Sequence, residues 1–287
     1  MKKGPSAVMI QARMGSSRVP GKVMTELYRS PISGERWPLL KILINRMKRA
    51  RVDLVVVNTT KKPEDDVIER LCVEMEVPCH RGADEDVLGR HIESAERFGI
   101  DICALIGADT PLICPLIVGQ SVAIHRSHDK DMTWVRDGFC FWLTIYHRDV
   151  LKFIHERADA KGKEHMAYYA QNHPEEVSVY NLHALGHYRH WDFHMGLDMP
   201  YQIEFYRKIL SDLGSDPDWV DVLRYLEERP TLVESARLKG SDNPYSLDPW
   251  QVTTFINPIT AGDLETEHRA QHSLGEVDDE AAAGEND

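Results

Sequence analysis

The sequence has no apolar run long enough for a membrane helix, no CxxC pair, no basic stripe and no Walker or dinucleotide glycine motif. Each absence removes a class of protein. A spanning helix needs about 20 mostly apolar residues, so no membrane span is expected. Met1-Lys2-Lys3-Gly4-Pro5 is not followed by a signal-peptide core, because Gln11 and Arg13 interrupt the apolar run. The five cysteines, Cys72, Cys79, Cys103, Cys114 and Cys140, are odd in number and unpaired in spacing. That speaks against a disulfide framework or a zinc knuckle and for reduced thiols in a cytoplasm. Without a basic stripe, and with a net charge of −12, nucleic acid is not an expected partner. Neither GKS/GKT nor G-x-G-x-x-G occurs, so any phosphate site must be of another kind.

What is present is concentrated near the amino terminus. The short apolar run Ala7–Ile10 leads into Gln11-Ala12-Arg13-Met14-Gly15-Ser16-Ser17-Arg18-Val19-Pro20-Gly21-Lys22. Gly15 and Gly21 allow close backbone approach to phosphate oxygens, and successive N–H groups in such a turn form an anion cradle. Arg13, Arg18 and Lys22 add fixed positive charge, the arginines as planar forks and the lysine as a mobile point charge. A strand followed by such a loop is the order a triphosphate site needs.

The 287 residues suffice for one large domain or two small ones. Strands are expected at Ser6–Ile10, Leu54–Val57, Val77–His80 and Ile102–Ile106. Helices are expected over Leu39–Met47, from Pro63, over Asp84–Phe98 and over Leu112–His125. This alternation predicts an α/β fold, a mostly parallel Rossmann-like sheet with helices on both faces. After Lys130 the rhythm changes. Met132–Val135 and Phe139–His147, split by Asp137-Gly138, predict a small antiparallel insertion. Helices follow at Asp149–Arg157 and Lys163–Asn172, a strand at Val177–Leu182, and helices at Tyr201–Leu213 and Asp218–Glu228. Periodicity fades from about Pro230. The expected division is a domain over 1–235, with 130–195 as an acceptor or dimer subregion, an arm over 236–260 and an acidic tail over 261–287. Nine acidic residues face only Arg269 between Gly262 and Asp287, a composition that resists folding.

Asp109, just past the strand ending at Ile106, lies where open α/β sheets collect ligands. From turn chemistry alone it reads equally as a turn or cap residue and as a ligand for a hard cation. Asp198, before Met199-Pro200, carries the same ambiguity with a helix N-cap. His187, His190 and His194 invite a zinc reading, but their spacing along a strand would send them to opposite faces.

The segment Ile10–Val23 closely resembles the signature loop of the SpsF-like cytidylyltransferases, relatives of the CMP-Kdo and CMP-sialic acid synthetases. The likeness continues at Asn58-Thr59-Thr60, Pro63–Asp66, Arg81–Leu88, Gly107–Ile113, Glu164-His165 and Leu197–Pro200, over most of residues 5 to 235. The sequence departs from the family pattern at Ala83, usually serine, at Met199, usually threonine, and in a longer connection over Tyr28–Pro38 that could be a lid or a partner contact.

The resemblance implies a GT-A-like nucleotidyltransferase fold and transfer of CMP from CTP to a sugar or sugar-acid acceptor, with release of pyrophosphate. It implies Mg²⁺ held by Asp109 and Asp198, charge stabilisation by Arg13, Arg18 and Lys22, and a homodimer. Nucleotide binding falls to Gln11, Ala12, Gly15, Ser16, Ser17, Thr59, Arg81 and Asp84, of which Gln11, Thr59, Arg81 and Asp84 are candidates for the base. Asp137, Glu164 and His165 match acceptor positions. Two other readings compete. One is a GT-A-type glycosyltransferase, which wants a D-x-D pair after the buried strand where Asp109 stands alone. The other is a non-catalytic nucleotide-binding protein, whose expected sign is loss of Arg13, Lys22 or Asp109.

Overall fold

The computed structural model describes residues 3–137, 141–165, 167–182 and 195–237. The histidines at 187, 190 and 194, the arm and the acidic tail lie outside the described residues. A seven-stranded sheet organises the rest. Its strands are β1 (Ser6–Gln11), β4 (Leu54–Thr60), β5 (Cys79–Gly82), β6 (Ile102–Gly107), β7 (Met132–Asp137), β8 (Phe141–His147) and β9 (Val179–Leu182). They lie in the order β5-β4-β1-β6-β8-β7-β9. β5, β4, β1 and β6 run parallel, β8 is antiparallel to β6 and β7, and β9 is parallel to β7. The expected antiparallel pair therefore extends the parallel sheet. The long connection at 28–38 forms a separate hairpin of β2 (Glu26–Arg29) and β3 (Arg36–Pro38).

β1 is central and reads as a continuous buried run, as a parallel strand covered on both faces must. Its alternate residues divide the core. Val8 and Ile10 pack into one cluster with α1 (Leu39–Met47), α4 (Pro115–Ser127) and α8 (Gln202–Leu213). Ala7 and Met9 pack into the other with α3 (Val87–Phe98), α5 (Arg148–Arg157) and α7 (Tyr168–Asn172). α2 (Asp66–Glu74) and α9 (Trp219–Glu227) join the first cluster. The core is built from both sheet faces, and the carboxyl ends of β1, β4 and β6 come together at one edge.

Several boundaries differ from the sequence expectation for local reasons. α3 begins at Val87, because Asp86 is its N-cap and accepts from the Gly89 amide at 2.8 Å. The helix expected over 163–172 is two short ones, α6 (Ala160–Glu164) and α7, with a break between them. Beyond Pro230 the structure has a further helix, α10 (Pro230–Ala236). It buries only Val233 and Ala236, too few repeats to register as periodicity. Its last carbonyl, Ala236 O, accepts from Gln202 Nε2 at 3.0 Å, which docks it on α8.

Candidate active site

The loop after β1 is held in shape by backbone bonds and one buried acid. Ala12 N donates to Asn58 O at 3.0 Å, and Gly21 N returns to Met14 O at 2.9 Å. Met14 N donates to Asp65 Oδ1 at 2.7 Å, and the other Asp65 oxygen accepts from the Thr60 hydroxyl. Gly21 has φ +69°, the left-handed region where a side chain is strained. The chain then turns so that Lys22 points inward.

Lys22 is the hub. Its Nζ donates to Leu197 O at 2.8 Å and lies 3.4 Å from Asp198 Oδ1 and 3.6 Å from Asp109 Oδ2. Arg18 Nη2 donates to the same Asp198 oxygen at 2.8 Å. Asp109 and Asp198 come from segments far apart in sequence, yet Leu197 N donates to Asp109 O at 2.7 Å. The two acids are thus brought to one ammonium by backbone pairing.

The structure also decides what these aspartates are not. Gln202 Oε1 accepts from Asp198 N at 2.7 Å and Met199 N at 2.9 Å, so the glutamine satisfies the amides ahead of α8. The Asp198 carboxylate, only 2% exposed, faces Arg18 and Lys22. Asp109 precedes α4 by several residues, and that helix is capped at Cys114. Gly107 leaves room beside it: a Cβ there would fall 2.7 Å from Asp109 Oδ1, so the carboxylate would have to shift.

Arg13 runs the other way. Its Nη1 is 3.1 Å from Asp84 Oδ1 and its Nη2 is 3.9 Å from Glu164 Oε1. Asp84 also meets Lys62 Nζ at 2.5 Å. The Lys62 ammonium, with Arg13 behind it, holds the Asp84 carboxyl below its usual range against the opposing effect of burial.

These groups line a cavity of about 540 Å³ at the carboxyl edge of the sheet, within the range of small-molecule sites. Gln11, Arg13, Gly15, Ser16, Ser17, Arg18 and Lys22 from the β1 loop line it together with Asp109, Asp198, Glu164 and His165. Arg13 and Glu164 also line a neighbouring cavity of about 570 Å³, together with Asp84, Asp86, Lys161 and Lys163.

Not every expected residue arrives. Ala12 is buried at the start of the loop. Thr59 is buried on the α1–α2 side of β4, away from the cavity lining. Arg81 is outside as well. Its guanidinium donates to Thr60 O, Lys62 O, Asp66 and Glu69 at 2.6 to 2.9 Å, clamping β5 to the start of α2. Asp84 joins the site only through Arg13 and the neighbouring cavity. Asp137 ends β7, and its side chain is outside those described. The cavity includes residues that no motif announced, among them Thr144, Tyr168 and Gln171. Their one sequence signal is that His165, Tyr168 and Gln171 recur every three residues.

Two carboxylates converging on one cation position make an oxygen donor set. Mg²⁺ is commonly held by one or two carboxylates, with substrate phosphates and water completing its shell. Asp109 and Asp198 fit that demand.

Residues 7–229 match the family model described as Cytidylyltransferase. The chain belongs to the cytidylyltransferase family. Among its relatives is the spore coat polysaccharide biosynthesis protein SpsF of Bacillus subtilis (strain 168). That protein is 27% identical over 220 residues, covering 73% of this chain and 88% of SpsF. The uncharacterized protein MJ1063 of Methanocaldococcus jannaschii is 25% identical over 228 residues, covering 78% of this chain and 91% of its own. A solved cytidylyltransferase from Leptospira borgpetersenii serovar Hardjo-bovis (strain JB197) shares the fold, with a TM-score of 0.72 and 21% identity. The match covers 82% of this chain and 99% of that one. The fold is also that of a CMP:2-keto-3-deoxy-manno-octonic acid synthetase solved with CTP, with a TM-score of 0.56 and 16% identity over 72% of this chain and 99% of that one. Membership decides against the glycosyltransferase reading. Arg13, Lys22 and Asp109 stand around one cavity in this cytidylyltransferase, which is not the pattern of a lapsed, purely binding protein. No helix among the described residues is long and apolar enough to cross a membrane.

Proposed function

We propose that this cytidylyltransferase transfers CMP from CTP to a hydroxyl group of a sugar or sugar-acid acceptor, releasing pyrophosphate, in the synthesis of a surface polysaccharide. The observation that carries the reading is the meeting of Lys22, Arg18, Asp109 and Asp198 in a cavity lined by the β1 loop. The role in polysaccharide synthesis draws support from the kinship with SpsF. The proposed catalytic unit is residues 1–235.

The backbone at Gly15, Ser16 and Ser17 cradles the triphosphate, with Gln11 and Ala12 setting where the loop departs from the strand. Arg18 and Lys22 neutralise charge that builds on the departing pyrophosphate, and Arg13 steadies the α-phosphate from the opposite side. Asp109 and Asp198 would hold Mg²⁺, which would screen repulsion between the phosphate oxygens. Glu164 and His165 orient the acceptor hydroxyl, and Asp137 is proposed as a further acceptor residue on the strength of the family resemblance. Most of the rate enhancement then comes from positioning and fixed charge.

The test uses purified enzyme, CTP, Mg²⁺ and a panel of sugars and sugar acids. The expected outcome is pyrophosphate release together with a product one cytidylyl group heavier than the acceptor. Full activity of both Lys22→Ala and Asp109→Asn would overturn the proposal.

A further inference from the structure

The ammonium of Lys22 stands between two carboxylates, where a cation shared by both would stand. It lies 3.4 Å from Asp198 Oδ1 and 3.6 Å from Asp109 Oδ2, and it donates to Leu197 O at 2.8 Å. Its side chain is 13% exposed, against 44% for Arg18 on the same Asp198 oxygen. The backbone beneath it is fixed: Lys22 N donates to Val19 O and Thr25 N to Lys22 O, each at 3.1 Å. The stem above is not, since a lysine carries its charge on a flexible four-carbon arm.

Charge decides what else this place can hold. Asp109 and Asp198 face two cations, Lys22 and Arg18, and the set is neutral. A divalent cation added to it would leave two positive charges in excess, beside an Asp198 so buried that solvent screens little. The ammonium and a metal ion therefore compete for the same carboxylates. Arg18, nearly half exposed, can turn to water. Lys22 is enclosed and needs another anion before it can leave. Gly15, Ser16 and Ser17 line the same cavity, and a triphosphate bound on them brings several negative charges into it.

We infer that Lys22 closes the metal position in the free enzyme and opens it when nucleotide arrives. Its ammonium bridges Asp109 and Asp198 until triphosphate oxygens draw it off, so the two acids take a divalent cation only with nucleotide in place. The inference rests on the CMP-transfer reading above. It gives Lys22 a positioning role that precedes its part in charge stabilisation. Nucleotide and metal are then coupled through one side chain, and each strengthens the binding of the other.

Mn²⁺ serves as the probe, on the full chain without nucleotide, with the EPR signal of the free ion as the readout. The unaltered enzyme holds Mn²⁺ at these acids more weakly than about 100 µM. Lys22→Met and Lys22→Gln remove the competing charge, and each tightens that site at least about tenfold. The glutamine keeps a donor for the Leu197 carbonyl. Lys22→Arg keeps the charge and gives no gain. Adding Asp109→Asn to Lys22→Met cancels the gain, which assigns it to these acids and not to acidic surface elsewhere. With saturating CTP, the factor by which nucleotide tightens Mn²⁺ is at least about tenfold larger on the unaltered enzyme than on Lys22→Met. A tighter site in the unaltered free enzyme that Asp109→Asn abolishes overturns the inference. So do unchanged Mn²⁺ affinity in both uncharged variants, a gain that survives Asp109→Asn, and equal nucleotide factors. Failure of CTP to bind the unaltered enzyme counts against the CMP-transfer reading instead, while the nucleotide-free measurements still decide whether Lys22 holds the acids against metal.

Discussion

On one side of the cavity, one loop from Gln11 to Lys22 supplies all three cations. Elsewhere in its lining, Thr144, Tyr168 and Gln171 come from β8 and α7. The loop side is charged and internally neutralised: Arg13 with Asp84, Arg18 with Asp198, and Lys22 between Asp109 and Asp198. Thr144, Tyr168 and Gln171 carry no formal charge. A polyanion can be caught by a short, preorganised segment, because charge acts over several ångströms. A hydroxylated ring needs short, directed hydrogen bonds, which demand atoms placed by the tertiary fold.

The largest expected effect tests the charged half. Lys22→Ala removes the group that joins both aspartates and the Leu197 carbonyl. A fall in kcat of about 10²- to 10³-fold is expected, as for loss of one transition-state donor. A change below threefold would mean that this half does not hold the reacting phosphates.

Next come the acids. Asp109→Asn and Asp198→Asn each raise the Mg²⁺ concentration needed for half-maximal rate by about tenfold or more, since a carboxylate ligand of a hard cation is lost. Chelation by EDTA abolishes activity of the unaltered enzyme, and Mg²⁺ restores it. Titration of activity against Mg²⁺ reads both. Gly107→Ala should be milder, near tenfold in kcat, because its Cβ at 2.7 Å pushes the Asp109 carboxylate aside and small displacements of reacting groups are costly.

Smaller still is the Asp84 contact. Its folded pKa lies below the unfolded value, so its stabilising effect is present above the ordinary carboxylate pKa of about 4. It is lost as pH falls through the depressed value. Asp84→Asn therefore costs under about 1 kcal/mol at neutral pH, given partial exposure. The difference from the unaltered protein shrinks toward zero in acid, as chemical denaturation at several pH values would show. Arg81→Ala marks the boundary of the site. The melting temperature falls while the KM for CTP stays within about twofold, because the guanidinium clamps backbone outside the cavity. A large rise in that KM would return Arg81 to the base pocket.

Much of the fold was legible. The apolar runs that become β1, β4 and β6 are bounded by glycine, proline and capping residues, and local signals of that kind survive in sequence. α10 was missed because about two turns with two buried residues carry no clear period. The break between α6 and α7 was missed because helical propensity runs straight through it. Within the site, the turns at Asp109 and Asp198 left cap and cation ligand equally open, and only the family resemblance favoured the ligand reading. Gln202, by taking the amides ahead of α8, leaves the Asp198 side chain to the cations.

By itself the sequence determined the parallel-sheet class and the glycine- and cation-bearing loop after β1, since both are written in residues within a few positions of one another. Only the tertiary structure decided that Asp198 shares Lys22 with Asp109, that Arg81 is spent on backbone outside the cavity, and that Thr144 lines one cavity with Tyr168 and Gln171. Those outcomes depend on how strands register and which helix face is buried. Backbone pairings such as Leu197 to Asp109 fix such matters over long stretches of chain, and no local pattern encodes them.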